Sequence, residues 1–206
     1  MSACWAAPCP EWESAVQKLL VASQKSGVGK TTAAINLATA AAQAGARVLL
    51  LESDPLGGIG AALNLAQHSQ RIPLRSTGLE LPGVLCPDVV PRLDVLTPYD
   101  EGACSDDDFE QVLQLVASRT IQEGYDCLVV NAPPFLGGRP GQLLQCCEDY
   151  IVVMQAEPLA YRTMPAFLEM INRASRAEGV TTRMRGILLT LPESESPGGR
   201  WESELR

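Results

Sequence analysis

The chain has 206 residues, 46% of them hydrophobic, a length that suits one compact domain with a sizeable core and leaves little room for two. Its formal net charge of -8 at pH 7 provides no overall basic field that would attract DNA or anionic lipid, so any such contact must be local. No apolar run reaches the roughly 18 residues of a membrane-spanning helix, and the N-terminus lacks the pattern of a signal peptide, so we expect a cytoplasmic protein without membrane contact.

Short apolar runs alternate with helical stretches along the chain. The runs are continuously hydrophobic, which indicates strands covered on both faces, as in a parallel sheet. The predicted strands span 19–22, 48–51, 93–96, 127–130, 150–154 and 186–191, and the predicted helices span roughly 30–44, 107–123 and 160–178. This alternation predicts an α/β fold with a doubly wound, mainly parallel sheet and helices on both faces, arranged as a three-layer sandwich.

The remaining segments show little periodicity. Residues 55–91 contain scattered glycine and proline, and we expect a short helix followed by a surface excursion. Residues 1–17 are expected to form an N-terminal extension, and residues 192–206 a polar, loosely held tail. The predicted nucleotide-binding domain therefore spans residues 18–191.

The seven cysteines fit a reducing compartment, because their number is odd and no C-x-x-C occurs. Cys86 and Cys127 lie in or near apolar stretches, where we expect small buried thiols. The chain has a single histidine, which disfavours metal binding by cysteine. This applies to the two closely spaced pairs, Cys4 with Cys9 and Cys146 with Cys147.

Residues 26–32, SGVGKTT, follow the first predicted strand and open the first predicted helix, which is the context of a phosphate-binding loop. Gly27 and Gly29 allow backbone N–H groups to turn toward an anion, to which the helix N-terminus adds partial positive charge. Lys30 would reach the β- and γ-phosphates, and the Thr31 hydroxyl would ligate Mg²⁺. A glycine-rich turn that binds nothing is the disfavoured alternative. The expected nucleotide-binding residues are Ser26, Gly27, Val28, Gly29, Lys30, Thr31 and Thr32.

The stretch KSGVGKT, residues 25–31, resembles the deviant Walker A motif K-G-G-x-G-K-[ST] of the ParA/MinD family of P-loop ATPases. This resemblance explains why Gln24 stands where the standard pattern has its first glycine. It implies that Lys25 reaches across a dimer interface to the phosphates of the partner's ATP. Ser26 replaces the first glycine of the motif, which is acceptable if the position needs no left-handed backbone.

The stretch LLLESDPLGG after the second predicted strand resembles the family's switch I segment, a hydrophobic run followed by D-x-D-P-Q-G. Asp54 matches the motif, whereas Glu52 replaces the first aspartate and Leu56 the glutamine. By this resemblance Asp54 orients the attacking water, and Glu52 lies near the hydration shell of Mg²⁺. For the Asp-Pro pair alone, an ordinary turn is the alternative.

The stretch YDCLVVNAPP, residues 125–134, resembles the family's Walker B strand and switch II, with Asn131 in place of an aspartate. Asparagine keeps one acceptor oxygen but loses the charge that helps hold the water shell of Mg²⁺, so we expect weakened metal binding. A buried asparagine that caps the next turn is a compatible alternative. The predicted metal site comprises Thr31, Glu52 and Asn131, and the predicted catalytic residues are Lys25, Lys30 and Asp54.

The resemblance covers most of residues 18–191 and continues more weakly through VVMQAEPLAYRTM and MRGILLTL. Family members normally continue through a further strand that contacts adenine, whereas this chain stops shortly after Leu191. By the resemblance, we expect either that adenine recognition is incomplete or that this is a shortened member of the family. The implied function is a Mg-ATP-dependent switch that dimerises with ATP, hydrolyses it slowly and positions DNA or another cargo through an unidentified protein partner. The alternatives are a nucleotide-binding scaffold without turnover and a dethiobiotin-synthetase-like ligase, which Lys25 disfavours.

Arginines late in the chain are a candidate for non-specific DNA contact. A solvated helix face with positive charge near the helix C-terminus explains most of them and is the favoured interpretation. These residues are Arg162, Arg173, Arg176, Arg183 and Arg185.

Overall fold

The structure is a computed structural model that describes residues 16–74, 83–98, 106–122 and 124–190. The predicted tail over 192–206 and nearly all of the predicted N-terminal extension, with Cys4 and Cys9, lie outside the described residues. The strands are β1 (Gln17–Ala22), β2 (Val48–Glu52), β3 (Ile72–Pro73), β4 (Val84–Val90), β5 (Leu93–Thr97), β6 (Cys127–Asn131), β7 (Asp149–Gln155) and β8 (Arg183–Thr190). The helices are α1 (Lys30–Gln43), α2 (Ile59–Ala62), α3 (Asp106–Gln122), α4 (Pro140–Cys146) and α5 (Pro158–Glu178).

The strands of the described ranges form one sheet in the order β3-β4-β5-β2-β6-β1-β7-β8. From β5 to β8 neighbouring strands are parallel, and β3 and β4 add an antiparallel edge. The predicted doubly wound, mainly parallel α/β fold is therefore confirmed. Strand β1 lies between β6 and β7, where the chain winds outward in both directions, and ligands of open α/β sheets bind beyond the carboxyl ends of strands at such a point.

Alternate residues of the central strands supply two separate cores. In β6, Val129 belongs to the core that includes the alanines of α1, whereas Leu128 and Val130 belong to the core that includes α3, α4 and α5. Both faces of the sheet are covered, which explains why the strands read as continuous apolar runs. Small side chains such as Ala34 and Ala38, both fully buried, let α1 lie close to the sheet.

The region 55–91 contains more regular structure than the sequence predicted. The expected short helix is α2, but β3 and β4 also extend the sheet, so the interpretation as a surface excursion was wrong for these strands. The pairing of β4 with β5 shifts register between Cys86 and Val90, and Asp88 between them has a left-handed φ of 48°. Such an irregularity interrupts the alternation by which a strand is recognised.

The thiols within the described ranges are buried. Cys86 and Cys127 lie in the core of the α1 face, as expected, and burial raises the pKa of Cys127 to about 11. Cys146 and Cys147 are also buried. In the described part of the chain no helix is both long and apolar enough to cross a membrane.

Candidate functional site

The loop from Ser23 to Gly29 connects β1 to α1 at the centre of the sheet. Gly27 and Gly29 have φ values of 77° and 87°, in the left-handed region that glycine adopts without strain. Ser26 has no positive φ, so its replacement of the motif's glycine requires no unfavourable backbone. The Val28 side chain is buried in the core of the α1 face, which leaves only its backbone for a ligand.

A pocket of about 470 Å³ lies over this loop. Its size is within the range of small-molecule and cofactor sites. All the predicted nucleotide-binding residues except Val28 line it, together with residues that follow β2 and β6. The lining residues are Lys25, Ser26, Gly27, Gly29, Lys30, Thr31, Thr32, Asp54, Leu56, Gly58 and Pro134.

Lys30 is the first residue of α1, and its side chain is only 6% exposed. Its Nζ donates a hydrogen bond to Oδ1 of Asn131 at 3.1 Å and lies 3.7 Å from Oδ2 of Asp54. Burial lowers the pKa of the Lys30 ammonium, and the nearby carboxylates of Asp54 and Glu52 oppose this shift. The buried ammonium is thus held by acceptors that a phosphate group can replace.

Asn131 joins the ends of three elements. Its Nδ2 donates to Oε1 of Glu52 at 2.8 Å and to Oγ1 of Thr31 at 3.3 Å, while Oδ1 accepts from Lys30. Lysine has only donors and an ionised carboxylate only acceptors, so these neighbours determine which way the amide points. Toward Thr31, Asn131 therefore presents a donor where an aspartate would present an acceptor. Asn131 is fully buried at the end of β6, as the alternative expected, but its side chain contacts Lys30, Thr31 and Glu52 and does not cap the next turn.

Glu52 is 3% exposed and pairs with Asn131 in the register of β2 and β6. Its Oε1 accepts from the backbone N–H of Asp54 at 3.0 Å, and its Oε2 accepts from that of Ile59 at 3.2 Å. Burial raises the pKa of Glu52, and the hydrogen bonds from Asp54, Ile59 and Asn131 and the charge of Lys30 oppose the rise.

Hydroxyl and carboxylate oxygens at this end of the pocket suit Mg²⁺. Thr31 and Asp54 line the pocket, and Glu52 is connected to Thr31 by two hydrogen bonds, both donated by the amide of Asn131. Within the described ranges no group of three or more His, Cys, Asp or Glu side chains could hold a metal by itself. A magnesium ion here would thus depend on phosphate oxygens and water, as is usual for this cation. The residues fit Mg²⁺, except that Asn131 in this orientation presents no hydrogen-bond acceptor on the side that faces Thr31.

Comparison with known proteins identifies the family. The sequence matches the family described as AAA domain over residues 16–183. It is 33% identical over 182 residues to the chromosome-partitioning ATPase Soj of Thermus thermophilus, covering 85% of this chain and 70% of that protein. The chain belongs to the ParA/MinD family of P-loop ATPases.

Further similarities agree with membership of the ParA/MinD family. The chromosome partitioning protein ParA of Myxococcus xanthus is 29% identical over 194 residues, which cover 90% of this chain and 68% of that protein. Among solved structures, cobyrinic acid a,c-diamide synthase from Mycobacterium smegmatis with bound ADP and magnesium superposes with a TM-score of 0.70 at 23% identity. That match covers 92% of this chain and 81% of the synthase, and it shows a shared fold.

In this ParA/MinD-family chain, Lys25 forms an ion pair with Glu157, the residue before α5. The preceding residue, Gln24, is buried and accepts a hydrogen bond at 2.9 Å from Oγ1 of Thr163 in α5. The loop is therefore attached to α5 by two successive side chains. Sequence reasoning assigned no role to Glu157, although its segment was among the weaker matches to the family.

The arginines considered for DNA contact do not form one cluster of unpaired charge. Arg183 and Arg185 at the start of β8 both donate to the carboxylate of Asp149, at 2.7 and 2.8 Å. The others lie exposed along α5, with one in its last turn, where positive charge is favourable. These are Arg162, Arg173 and Arg176.

Proposed function

We propose that this chain is an ATP-binding switch protein that takes Mg-ATP at the loop of residues 24–32. In this proposal ATP drives formation of a homodimer, hydrolysis is slow, and the switch acts in the partitioning or positioning of DNA or another cargo. The buried Lys30 ammonium beside a pocket of about 470 Å³ is the observation that supports it most. A buried cation at a helix N-terminus faces the positive end of the helix dipole, which is unfavourable by itself, so a lysine at this position favours an anionic ligand that both the lysine and the helix N-terminus can bind.

Each residue has a proposed role. The backbone N–H groups of residues 26–32 would bind the phosphates, together with Lys30. Asp54, a carboxylate at the edge of the pocket, would accept a hydrogen bond from the attacking water and orient it. Lys25 would leave Glu157 for the phosphates held by the partner protomer. Its side chain is 44% exposed, so this exchange needs no unfolding.

Mg²⁺, when bound, would neutralise charge on the phosphates. The Thr31 hydroxyl would hold it directly, and Glu52 would accept hydrogen bonds from its water shell. Asn131 would position both Lys30 and Glu52, because it contacts each of them.

The domain boundaries and the binding partners are part of the same proposal. The nucleotide-binding domain spans residues 18–191, flanked by 1–17 and 192–206. An unidentified protein partner and a local DNA contact in the region of Arg162 to Arg185 are included, supported by relatives that are named for chromosome partitioning. The DNA contact would rest on the exposed arginines of α5, because Arg183 and Arg185 pair with Asp149.

Calorimetry with Lys30→Ala tests the nucleotide site. ATP and ADP affinity should fall by roughly 100-fold or more, because truncation removes a desolvated charge that pairs with phosphate. Lys18→Ala is a matched control, since Lys18 lies at the opposite end of β1 and should leave affinity unchanged. Equal binding by the Lys30→Ala variant and the wild type would exclude this site.

One observation favours the second candidate, a nucleotide-binding scaffold that does not hydrolyse ATP. The amide nitrogen of Asn131 faces Thr31 and Glu52, where an aspartate would supply an acceptor and a negative charge. Phosphate release measured with ATP at saturating concentration separates the two candidates. Stoichiometric ATP binding with less than one phosphate released per protomer over hours would favour the scaffold.

A further inference from the structure

The Glu52 carboxylate holds both ends of the loop between β2 and α2. One oxygen accepts from the N–H of Asp54, the second residue after it, and the other accepts from the N–H of Ile59, the first residue of α2. A tight turn lies between them, in which Gly57 N–H donates to the Asp54 carbonyl at 2.8 Å and Leu56 N–H to Asp54 Oδ1 at 3.0 Å. The loop is therefore closed around one buried side chain.

Gly57 supplies the space that this side chain occupies. A Cβ atom at position 57 would lie 2.1 Å from Cδ and 2.2 Å from Oε2 of Glu52, closer than any real contact. Gly57 has no positive φ, so space rather than backbone conformation requires glycine here. Gly60, three residues later in α2, differs in this respect, because a Cβ there would meet nothing within 4 Å.

We propose that Glu52 is a positioning residue whose carboxylate holds the loop of residues 54–59 closed over the phosphate pocket. We call this arrangement, the Glu52 carboxylate with its hydrogen bonds to Asp54 and Ile59, the clip; Gly57 leaves the space that the carboxylate occupies. The clip places Oδ2 of Asp54 3.7 Å from Nζ of Lys30, at the edge of the pocket. This role differs from support of a magnesium water shell, because it operates without metal or nucleotide. Its consequence for turnover rests on the proposed function, whereas its existence does not.

Amide hydrogen exchange in the nucleotide-free protein tests the clip. Gly57→Ala displaces the carboxylate, so the amides of Asp54 and Ile59 should exchange roughly tenfold faster or more, because each loses a hydrogen bond to a charged acceptor. Gly60→Ala is the matched control and should change these rates by less than about twofold.

Glu52→Asp provides the coupled test. Its side chain is one methylene shorter and leaves room for a methyl group at position 57, so Gly57→Ala should have little further effect in this background. Such non-additivity indicates direct interaction between the two positions. An equal effect of Gly57→Ala in both backgrounds, or wild-type exchange in Gly57→Ala, would overturn the clip.

Nucleotide measurements then locate the functional consequence. Gly57→Ala should leave ADP affinity within about threefold of wild type, because Gly57 does not line the pocket itself, while ATP turnover falls with the displacement of Asp54. If the wild type binds no nucleotide, the proposed function fails and the exchange result still decides the clip. Should Gly57→Ala not fold, Glu52→Gln replaces it; one acceptor is lost, and unchanged exchange at both amides would overturn the proposal.

Discussion

The loop of residues 24–32 and the adjoining ends of β2 and β6 form one pocket in different ways. The loop is made of consecutive residues, and its shape depends on two glycines with left-handed backbones. The strand ends instead bring together Glu52 and Asn131, which are 79 positions apart, through side-chain hydrogen bonds. A site built from backbone tolerates a changed side chain such as Ser26, whereas a site built from side chains depends on each donor, acceptor and charge.

Among the substitutions that compare the strand ends with the loop, the largest effect is expected where the chain departs from its family at a strand end. Asn131→Asp should raise Mg²⁺ affinity and ATP turnover by about 10- to 100-fold, because a carboxylate replaces a donor beside the ion's water shell. Without Mg²⁺ the same variant should unfold more easily, since its carboxylate would face that of Glu52 across the present 2.8 Å contact. Mg²⁺ titrations of nucleotide binding and phosphate release measure the first effect, and thermal denaturation in EDTA the second.

Two variants sharpen this test. Asn172→Asp adds the same charge on the exposed face of α5 and should change none of the three: Mg²⁺ affinity, ATP turnover or thermal stability in EDTA. Glu52→Gln with Asn131→Asp keeps one carboxylate and one amide in contact, so stability in EDTA should return toward that of wild type. If the wild type already hydrolyses ATP at the rate typical of the family, and Asn131→Asp is no faster, the strand ends tolerate substitution as the loop does.

Lys25→Ala should have the next largest effect. It should weaken ATP-dependent self-association by about tenfold, because a lysine that contacts the partner's phosphates contributes only in the dimer. Sedimentation with a non-hydrolysable ATP analogue measures this, with Lys18→Ala as the control. If the variant dimerises as well as wild type, Lys25 acts only within its own protomer, where it pairs with Glu157.

A smaller effect is expected on the pH dependence of stability, through the buried carboxylate of Glu52 at the end of β2. Burial raises the pKa of Glu52 above its ordinary value of 4.5, so its contribution to folding is fully present below that pH and is lost as the pH rises through the raised pKa. The free energy of unfolding of wild type, minus that of Glu52→Gln, should therefore decline as the pH rises above 4.5. Urea denaturation across this range measures the difference. The exposed Glu169→Gln should show no such decline.

The smallest effect is expected in the loop. Ser26→Gly restores the family's glycine but should change ATP affinity by less than about twofold, because Ser26 already has a backbone conformation open to any residue. Calorimetry on this variant measures the change. A tenfold change in either direction would show that the loop, too, depends on its side chains.

Much of the fold could be predicted, because its strongest signals are local. Continuous apolar runs revealed the six parallel strands of the described ranges, and the alanine-rich stretch after Lys30 revealed α1. Strand β4 was missed because its register shift near Asp88 interrupts periodicity, and α4 because it has only seven residues and begins at Pro140. Short or irregular elements are stabilised by their neighbours, and no pattern of their own records this.

The sequence by itself determined the parallel sheet, because continuous apolar runs mark strands that are covered on both faces. It determined the loop and the family, because glycine, lysine and threonine at this spacing form an anion site from adjacent backbone groups. It also showed that Asn131 replaces an aspartate. Only the tertiary structure decided which way the Asn131 amide points, that Glu52 closes the loop over Gly57, and that Lys25 pairs with Glu157. These contacts join residues brought together by strand order and register, and their geometry depends on packing that no local pattern encodes.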